Sequence, residues 1–423
     1  MILIKDGRVI DTKSGMDETL DIIIEDGKIK GIGKYKRSND YERVIEAEGK
    51  IVAPGLIDVH VHFRDPGLTY KEDIESGARA AAAGGYTTVI CMANTKPVVD
   101  NPETLSYVLE KGKETGINVL SVSTVTKGMQ GQELTDFEEM KQAGAAGLSD
   151  DGIAIKNSRL MYEALKKAKE VDMPVSLHEE DPDYVYQAGI NKGSVSETLG
   201  IGGATALAEE LMVARDCILA LNTKARINIQ HISSKVSVEF IRLAQKLGAD
   251  VWAEATPQHF SLTQDAALEK KTYAKVNPPL RTEEDRYGII EGLKDGTIKI
   301  IATDHAPHST EEKERPIDKA PSGFIGLETA LALGVTNLVR TGSLTMEYLL
   351  KKMSLNPARL YGLDAGYIAE GAQADLVIFD EFEKWKVEKF HSKSSNSPFI
   401  GEELYGKVKY TICEGKIVYE DKK

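Results

Sequence analysis

Asp58-Val59-His60-Val61-His62-Phe63-Arg64 closes an apolar run that opens at Leu56. In an extended strand side chains alternate, so His60, His62 and Arg64 share one face, and Asp58 joins them. Two imidazoles about 7 Å apart along one strand can lean onto a single metal ion. A lone strand histidine is ordinarily a satisfied core residue. His-x-His with an arginine in phase, where a strand gives way to loop, is a ligand pattern instead.

Similar short β-type runs recur outward from this one: Tyr86 to Met92, Asn118 to Val125, Ala145 to Ser149, Pro174 to His178, Arg226 to Ile232, Asp250 to Ala255 and Ile298 to Thr303. Helical stretches separate most of them, among them Lys71 to Ala83, Asn157 to Val171, Thr205 to Leu221, Val236 to Leu247 and Glu283 to Leu293. Strands alternating with helices imply a parallel sheet, and eight such units over about 300 residues fit an α/β fold of the (β/α)8 TIM barrel type. An open doubly wound sheet is the competing arrangement.

The two chain ends read differently. Asp6-Gly7 and Asp26-Gly27 sit between β-rich runs near the start, and Asx-Gly between apolar runs is a hairpin signal; near the end Glu414-Gly415 lies between β-rich runs in the same layout. Neither end has enough strands to bury a core alone. Residues 1–52 and 366–423 are therefore expected to combine into one small β-sandwich domain, flanking a barrel over 53–365.

Composition narrows the class. The 423 residues are 41% hydrophobic and 28% charged, ordinary for a globular enzyme. Lys+Arg at 53 against Asp+Glu at 66 gives a net charge of −13, which argues against nucleic acid or an anionic membrane as partner. No apolar run approaches a spanning helix, and the opening residues lack a signal-peptide layout. Cys91, Cys217 and Cys413 form no paired framework, which fits a reducing cytoplasm.

The remaining ligands should end other strands. His178 ends the Pro174 to Leu177 run, His231 ends Ile227 to Gln230, and Asp304 ends Ile300 to Thr303. Each alone could be a capping or core residue. Together with His60 and His62 they match borderline-metal chemistry, most simply Zn2+. Of the other histidines, His308 lies close enough to reach a substrate. His305 should face away, His259 is expected to be structural, and His391 lies in the polar tail. The charged, proline-containing stretch Ser309 to Ser322 is a candidate lid, or simply a solvated excursion.

Asp58 to Pro66, together with Ala302-Thr303-Asp304-His305-Ala306-Pro307-His308 and Lys313, resembles the two signatures of dihydroorotases. Asn277-Pro278-Pro279-Leu280-Arg281, Gly326-Leu327-Glu328-Thr329 and Ser397-Pro398-Phe399-Ile400-Gly401 are similar to landmarks of the bacterial type I branch within the amidohydrolase superfamily. That superfamily usually bridges two metals with a carboxylated lysine on its fourth strand. Gly147 to Gly152 contains no lysine, and Lys156 lies too far on. The type I branch uses an aspartate there. The residues themselves do not separate Asp150 from Asp151, and the resemblance implies Asp151.

The resemblance further implies reversible, zinc-dependent hydrolysis of (S)-dihydroorotate to N-carbamoyl-L-aspartate in de novo pyrimidine (UMP) biosynthesis, with two zinc ions per subunit. His60, His62, Asp151, His178, His231 and Asp304 would be the metal ligands, and Asp304 also the catalytic proton shuttle. His62, Arg64, Asn94 and His308 would meet the substrate's carboxylate end, with Asn277, Ser322 and Gly323 at its ring. Arg64 also makes independent sense, since a planar guanidinium suits bidentate carboxylate recognition. A hydantoinase or allantoinase is the nearest rival, and a non-catalytic subunit supporting aspartate transcarbamoylase is another. A homodimer and a complex with that transferase are both compatible with the chain.

Overall fold

The computed structural model describes residues 1–422. Strands β1 (Ile2–Asp11), β2 (Met16–Glu25), β3 (Lys28–Gly33), β4 (Arg43–Glu46) and β5 (Ile51–Pro54) open the chain. The middle contributes β6 (Leu56–Val61), β7 (Tyr86–Cys91), β8 (Asn118–Ser121), β9 (Val175–Leu177), β10 (Ile227–Ile229), β11 (Val251–Ala255) and β12 (Ile300–Ile301). Strands β13 (Leu376–Lys386), β14 (Glu403–Cys413) and β15 (Lys416–Glu420) close it.

The first five and last three strands form one eight-stranded sheet in the order β15-β14-β13-β5-β1-β2-β3, with β4 on β1. The ends meet where β13 runs antiparallel to β5, Val377 opposite Ala53 and Ile378 opposite Val52. The hydrogen bonding is continuous across this sheet. Its strands carry two apolar faces. Ile4, Val9, Ile22, Val52, Ile378 and Ile412 enclose a core of their own. Ile10, Ile51, Ala53, Val377 and Phe379 belong to the main core shared with the middle of the chain.

Middle strands pair in parallel as β6-β7-β8 and β12-β11-β10-β9. Both β6 and β7 are buried at every position, as strands covered on both faces must be. Helices fill the crossovers. In Ser158–Glu170, for example, Asn157 caps the first turn and Met161, Ala164, Leu165 and Ala168 bury one stripe at helical spacing. The run expected as a fourth strand, Ala145 to Ser149, forms only single bridges, Leu148 to Ser123 on one side and to Val175 on the other. A further bridge joins Val61 to His305. Asp58 ties the same two edges together: its carboxylate accepts the backbone N–H of His60 at 3.0 Å and of Thr303 at 3.2 Å. Among the described residues no helix is long and apolar enough to cross a membrane.

Candidate metal centre

Strand ends deliver the cluster. His60 lies on β6 and His62 one residue past it; His178 and His231 follow β9 and β10, Asp304 follows β12, and Asp151 lies in the turn after Leu148. Two groups of convergent donor atoms result, His60–His62–Asp151 and Asp151–His178–His231, with Asp151 common to both. Asp151 Oδ1 lies 3.4 Å from His60 Nε2, 3.6 Å from His178 Nδ1 and 3.7 Å from His231 Nε2, while Oδ2 is 3.4 Å from His62 Nε2. Asp304 Oδ1 stands 3.0 Å from His62 Nε2 and 3.5 Å from His60 Nε2. All six residues are buried.

These side chains fit a divalent cation. His60 Nε2 and Asp151 Oδ1 are buried with no hydrogen-bond partner, a costly arrangement unless both are ligand atoms. Imidazole with carboxylate is a donor set suited to zinc. Electrostatics point the same way. Burial opposes charge on Asp151, yet the surrounding imidazoles hold its carboxyl well below the usual range. Burial also opposes charge on His178, but Asp151 and Glu180 outweigh it and raise the imidazole to about 10. The pocket draws positive charge into itself.

A supporting layer fixes the rings. His60 Nδ1 faces Glu254 Oε2 at 3.1 Å, and His62 Nδ1 faces Asn94 Oδ1 at 3.0 Å, so in each ring the proton sits on Nδ1 and the Nε2 lone pair points inward. His178 is reversed: Nε2 lies 3.3 Å from Glu180, which leaves Nδ1 for the cluster. Glu254 was not singled out from the sequence. A glutamate inside the apolar run Val251 to Ala255 was the available signal. Arg64, His231 and Asp304 adopt positive φ (60°, 34° and 51°), a conformation costly for non-glycine residues.

The residues expected at the substrate divide by how free they are. Arg64 lies past β6, in its left-handed turn, and bonds only through Nε, to Pro307 O at 3.3 Å; its terminal nitrogens have no hydrogen bond among the described residues. Asn94 is engaged with its neighbours, donating to Asp151 O and Oδ2 at 3.2 Å as well as meeting His62. His308 is also committed, with Nε2 2.8 Å from Ser322 O and Nδ1 3.2 Å from Lys71 Nζ. Asn277 Oδ1 is buried and unpartnered. Gly189 packs so closely between Asn277 and Ser322 that a Cβ there would stand 2.3 Å from Ser322 Oγ, and its φ is +77°.

The Ser309 to Ser322 stretch is neither a free loop nor fully solvated. It begins with the short helix Thr310–Lys313, capped by Ser309. Lys313 is fully buried and donates to Pro321 O (3.0 Å) and Gly323 O (2.9 Å), while Lys275 holds Ile317 O and Ala320 O, both at 2.7 Å. Asn396 adds bonds to Gly323 O and to the His308 N–H. His305 faces away, toward Glu72 and the Gly326 N–H. His259 is held by Thr256 and Pro278 O, its pKa lowered by burial to about 3. His391 pairs with Glu328, and Lys156 with Asp183.

Similarity to known proteins defines the class first. The model described as "Amidohydrolase family" matches residues 324–419, and the one described as "Dihydro-orotase-like" matches 49–237. Among solved structures, L-hydantoinase (dihydropyrimidinase) from Arthrobacter aurescens is similar with a TM-score of 0.89 at 26% identity, over 99% of this chain and 96% of the other. Dihydropyrimidinase from Brevibacillus agri shares the fold with a TM-score of 0.86 at 23% identity, over 100% and 95%. Sequence relatives narrow the class. The dihydroorotase of Clostridioides difficile (strain 630) is 61% identical over 99% of this chain and 100% of its own length, and that of Clostridium acetobutylicum 58% identical over all of both. The chain belongs to the dihydroorotase family.

Proposed function

We propose that this protein interconverts (S)-dihydroorotate and N-carbamoyl-L-aspartate, in the cytoplasm, as a step toward UMP. One observation carries the reading: a two-part cluster sharing Asp151 lies beside an Arg64 guanidinium whose terminal nitrogens have no hydrogen-bond partner among the described residues. A hydantoin ring carries no carboxylate to occupy such a guanidinium; dihydroorotate does. The single bridges at Leu148 and Val61 support a closed eight-stranded barrel as the frame on which the ligands stand.

In this reading His60, His62, Asp151, His178, His231 and Asp304 would hold two zinc ions. Zinc bound there supplies Lewis acidity, which polarises the scissile carbonyl and brings the pKa of water toward neutrality. Asp304 takes the proton from the attacking water as the new C–O bond forms. It then delivers that proton to the ring nitrogen as the C–N bond breaks. Burial opposes its charge, but His60 and His62 hold its pKa below the ordinary value, which keeps it ionised and able to accept. Ring closure reverses these steps.

Arg64 receives the substrate carboxylate through its free terminal nitrogens. Burial and the cations Arg64, Lys71 and Lys313 keep the His308 pKa low, so the ring is neutral, and Lys71 donating to Nδ1 leaves its proton on Nε2. That N–H, now on Ser322 O, turns to the carboxylate when substrate arrives. Asn94 holds His62 and Asp151 in place while contacting the same end. Asn277 Oδ1 and the Ser322–Gly323 backbone meet the ring. Association with a second copy, or with aspartate transcarbamoylase, belongs to the same proposal and is read by co-elution of purified proteins.

The deciding experiment is turnover by metal-stripped protein titrated with zinc, on dihydroorotate, hydantoin and dihydrouracil in parallel. Zinc-dependent turnover of dihydroorotate alone supports the reading. Turnover of the uncharged rings in preference, or none at any zinc level, overturns it.

A further inference from the structure

We propose that the Ser233 hydroxyl, gripped by Glu209 on one side and Arg281 on the other, positions His231 as a metal ligand. The inference rests on the two-zinc reading above and extends it to three residues outside the ligand set. His231 needs such a hold. It leaves β10 with φ at 34°, a conformation that an L side chain disfavours, so a backbone free to relax would carry the imidazole out of the cluster. On either side the Gln230 N–H donates to Leu177 O at 3.0 Å and the Ile232 N–H to Glu254 O at 2.9 Å. Both bonds fix the end of the strand. Neither fixes the turn that follows.

That turn is held from a neighbouring helix. Glu209, in the first turn of the helix Leu207–Thr223, accepts the backbone N–H of Ser233 at 3.1 Å and of Ser234 at 3.0 Å, and takes the Ser233 hydroxyl as well. With its proton committed to Glu209, the hydroxyl oxygen accepts from Arg281 Nε at 2.7 Å. Arg281 is itself pinned, its terminal nitrogens donating to Asn191 Oδ1 at 2.9 Å and to the carbonyls of Ala204 and Thr205. Glu209 is 2% exposed and Arg281 3%. A buried carboxylate and guanidinium are a costly way to fill space, and an apolar pair of similar volume would pack as well. What they supply is direction. Three donors on one carboxylate, and a guanidinium on the same hydroxyl, hold the turn two residues past His231 in one geometry. Burial pushes the Glu209 carboxyl up, and the Arg281 cation is the strongest influence drawing it back. Arg281 also closes the segment that begins at Asn277, so the hydroxyl stands between a metal ligand and a residue proposed at the substrate ring.

Zinc titration of metal-stripped protein against a chromophoric chelator tests this. The unmodified chain is expected to take up two ions tightly. Ser233→Ala removes the hydroxyl and should weaken one ion about 10- to 100-fold, the usual effect of losing a group that orients a ligand, while the other stays within about threefold. Ser233→Thr keeps the hydroxyl and should bring the weakened ion back to within about threefold of the unmodified chain. Glu209→Gln, which keeps one acceptor oxygen, should weaken the same ion about 3- to 10-fold, and it serves should the alanine protein fail to fold. A hydroxyl that only stabilised the fold would lower the melting temperature of the metal-free protein and move the two affinities together. Two ions held as tightly in Ser233→Ala as in the unmodified chain, an equal loss of both, or a Ser233→Thr no better than alanine would each overturn this inference alone. An unmodified chain that takes up fewer than two ions would overturn the two-zinc reading and this inference with it.

Discussion

Asp150 and Asp151 send their carboxylates to opposite sides of one turn. Asp150 Oδ1 accepts the backbone N–H groups of Val125 at 2.8 Å and Thr126 at 3.1 Å, and its other oxygen takes the Thr126 hydroxyl. Asp151 turns inward to four histidines. One residue shapes the wall and its neighbour faces the histidine cluster.

Substituting each should therefore fail differently. Asp150→Ala strands two buried backbone donors and a hydroxyl, at about 2–4 kcal/mol of stability, with metal content per folded molecule retained. Asp151→Asn should keep the melting temperature of the metal-free protein and lose bound metal. Calorimetry with elemental analysis separates the two outcomes; a metal-replete Asp151→Asn would remove that residue from the ligand set.

Asp304→Asn keeps shape and removes the proton acceptor. Turnover should drop by roughly 10²–10⁴-fold, the usual contribution of a positioned acid–base group, while the fold survives. Near-normal kcat in the metal-loaded variant would refute the shuttle.

Arg64 is expected to act on binding. Arg64→Met keeps the length of the stem and loses the terminal nitrogens. KM for dihydroorotate should rise about 10- to 100-fold, in line with losing charge-assisted hydrogen bonds to a carboxylate. An unchanged KM, measured with the metal site saturated, would take Arg64 out of the carboxylate clamp.

Glu254 touches no substrate in this reading and acts through His60. Glu254→Gln weakens the hold on the Nδ1 proton and should lower zinc affinity about 10- to 100-fold. Competition against a chromophoric chelator measures it directly. The affinity should fall even where excess zinc restores turnover.

Lys352 supplies a signed pH dependence remote from the cluster. It is buried, its ammonium donates to Ile298 O at 2.7 Å, and burial pushes its pKa down to about 8. In the unfolded chain the value returns to about 10.4. Between those two values the unfolded state holds the proton that the folded state has shed, so raising pH favours folding. Melting curves should show the unmodified chain gaining on Lys352→Met from about pH 8 to about pH 10. A difference that stays flat across that window would place the pKa of the buried amine elsewhere.

The clustered side chains were legible because their types are anomalies where they stand. His60, His62, His178, His231 and Asp304 each interrupt or end an apolar run, and composition alone makes that conspicuous. Direction was not legible. Which of Asp150 and Asp151 turns inward depends on backbone torsions of the turn after Leu148, and adjacent identical residues carry no signal of it. The left-handed backbone at Arg64, His231 and Asp304 is equally silent, since no glycine marks it. Glu254 could be seen as a charge in an apolar strand, but its partner His60 is 194 residues away. The continuity of the terminal sheet escaped for a related reason: strand alternation shows which side chains are buried, while the pairing of β13 with β5 depends on where the whole middle of the chain returns the backbone.

That pairing has a consequence for how the protein is made. A ribosome releases β1–β5 first and holds back the strand that covers their edge until more than 320 residues have followed. Until Leu376–Lys386 emerges, the edge of β5 is an open strand with unpaired amides, the kind of surface that recruits other chains. A message truncated between codons 387 and 402 would leave the sheet without β14 and β15 at its other end, even though every residue of the candidate metal cluster had already been translated.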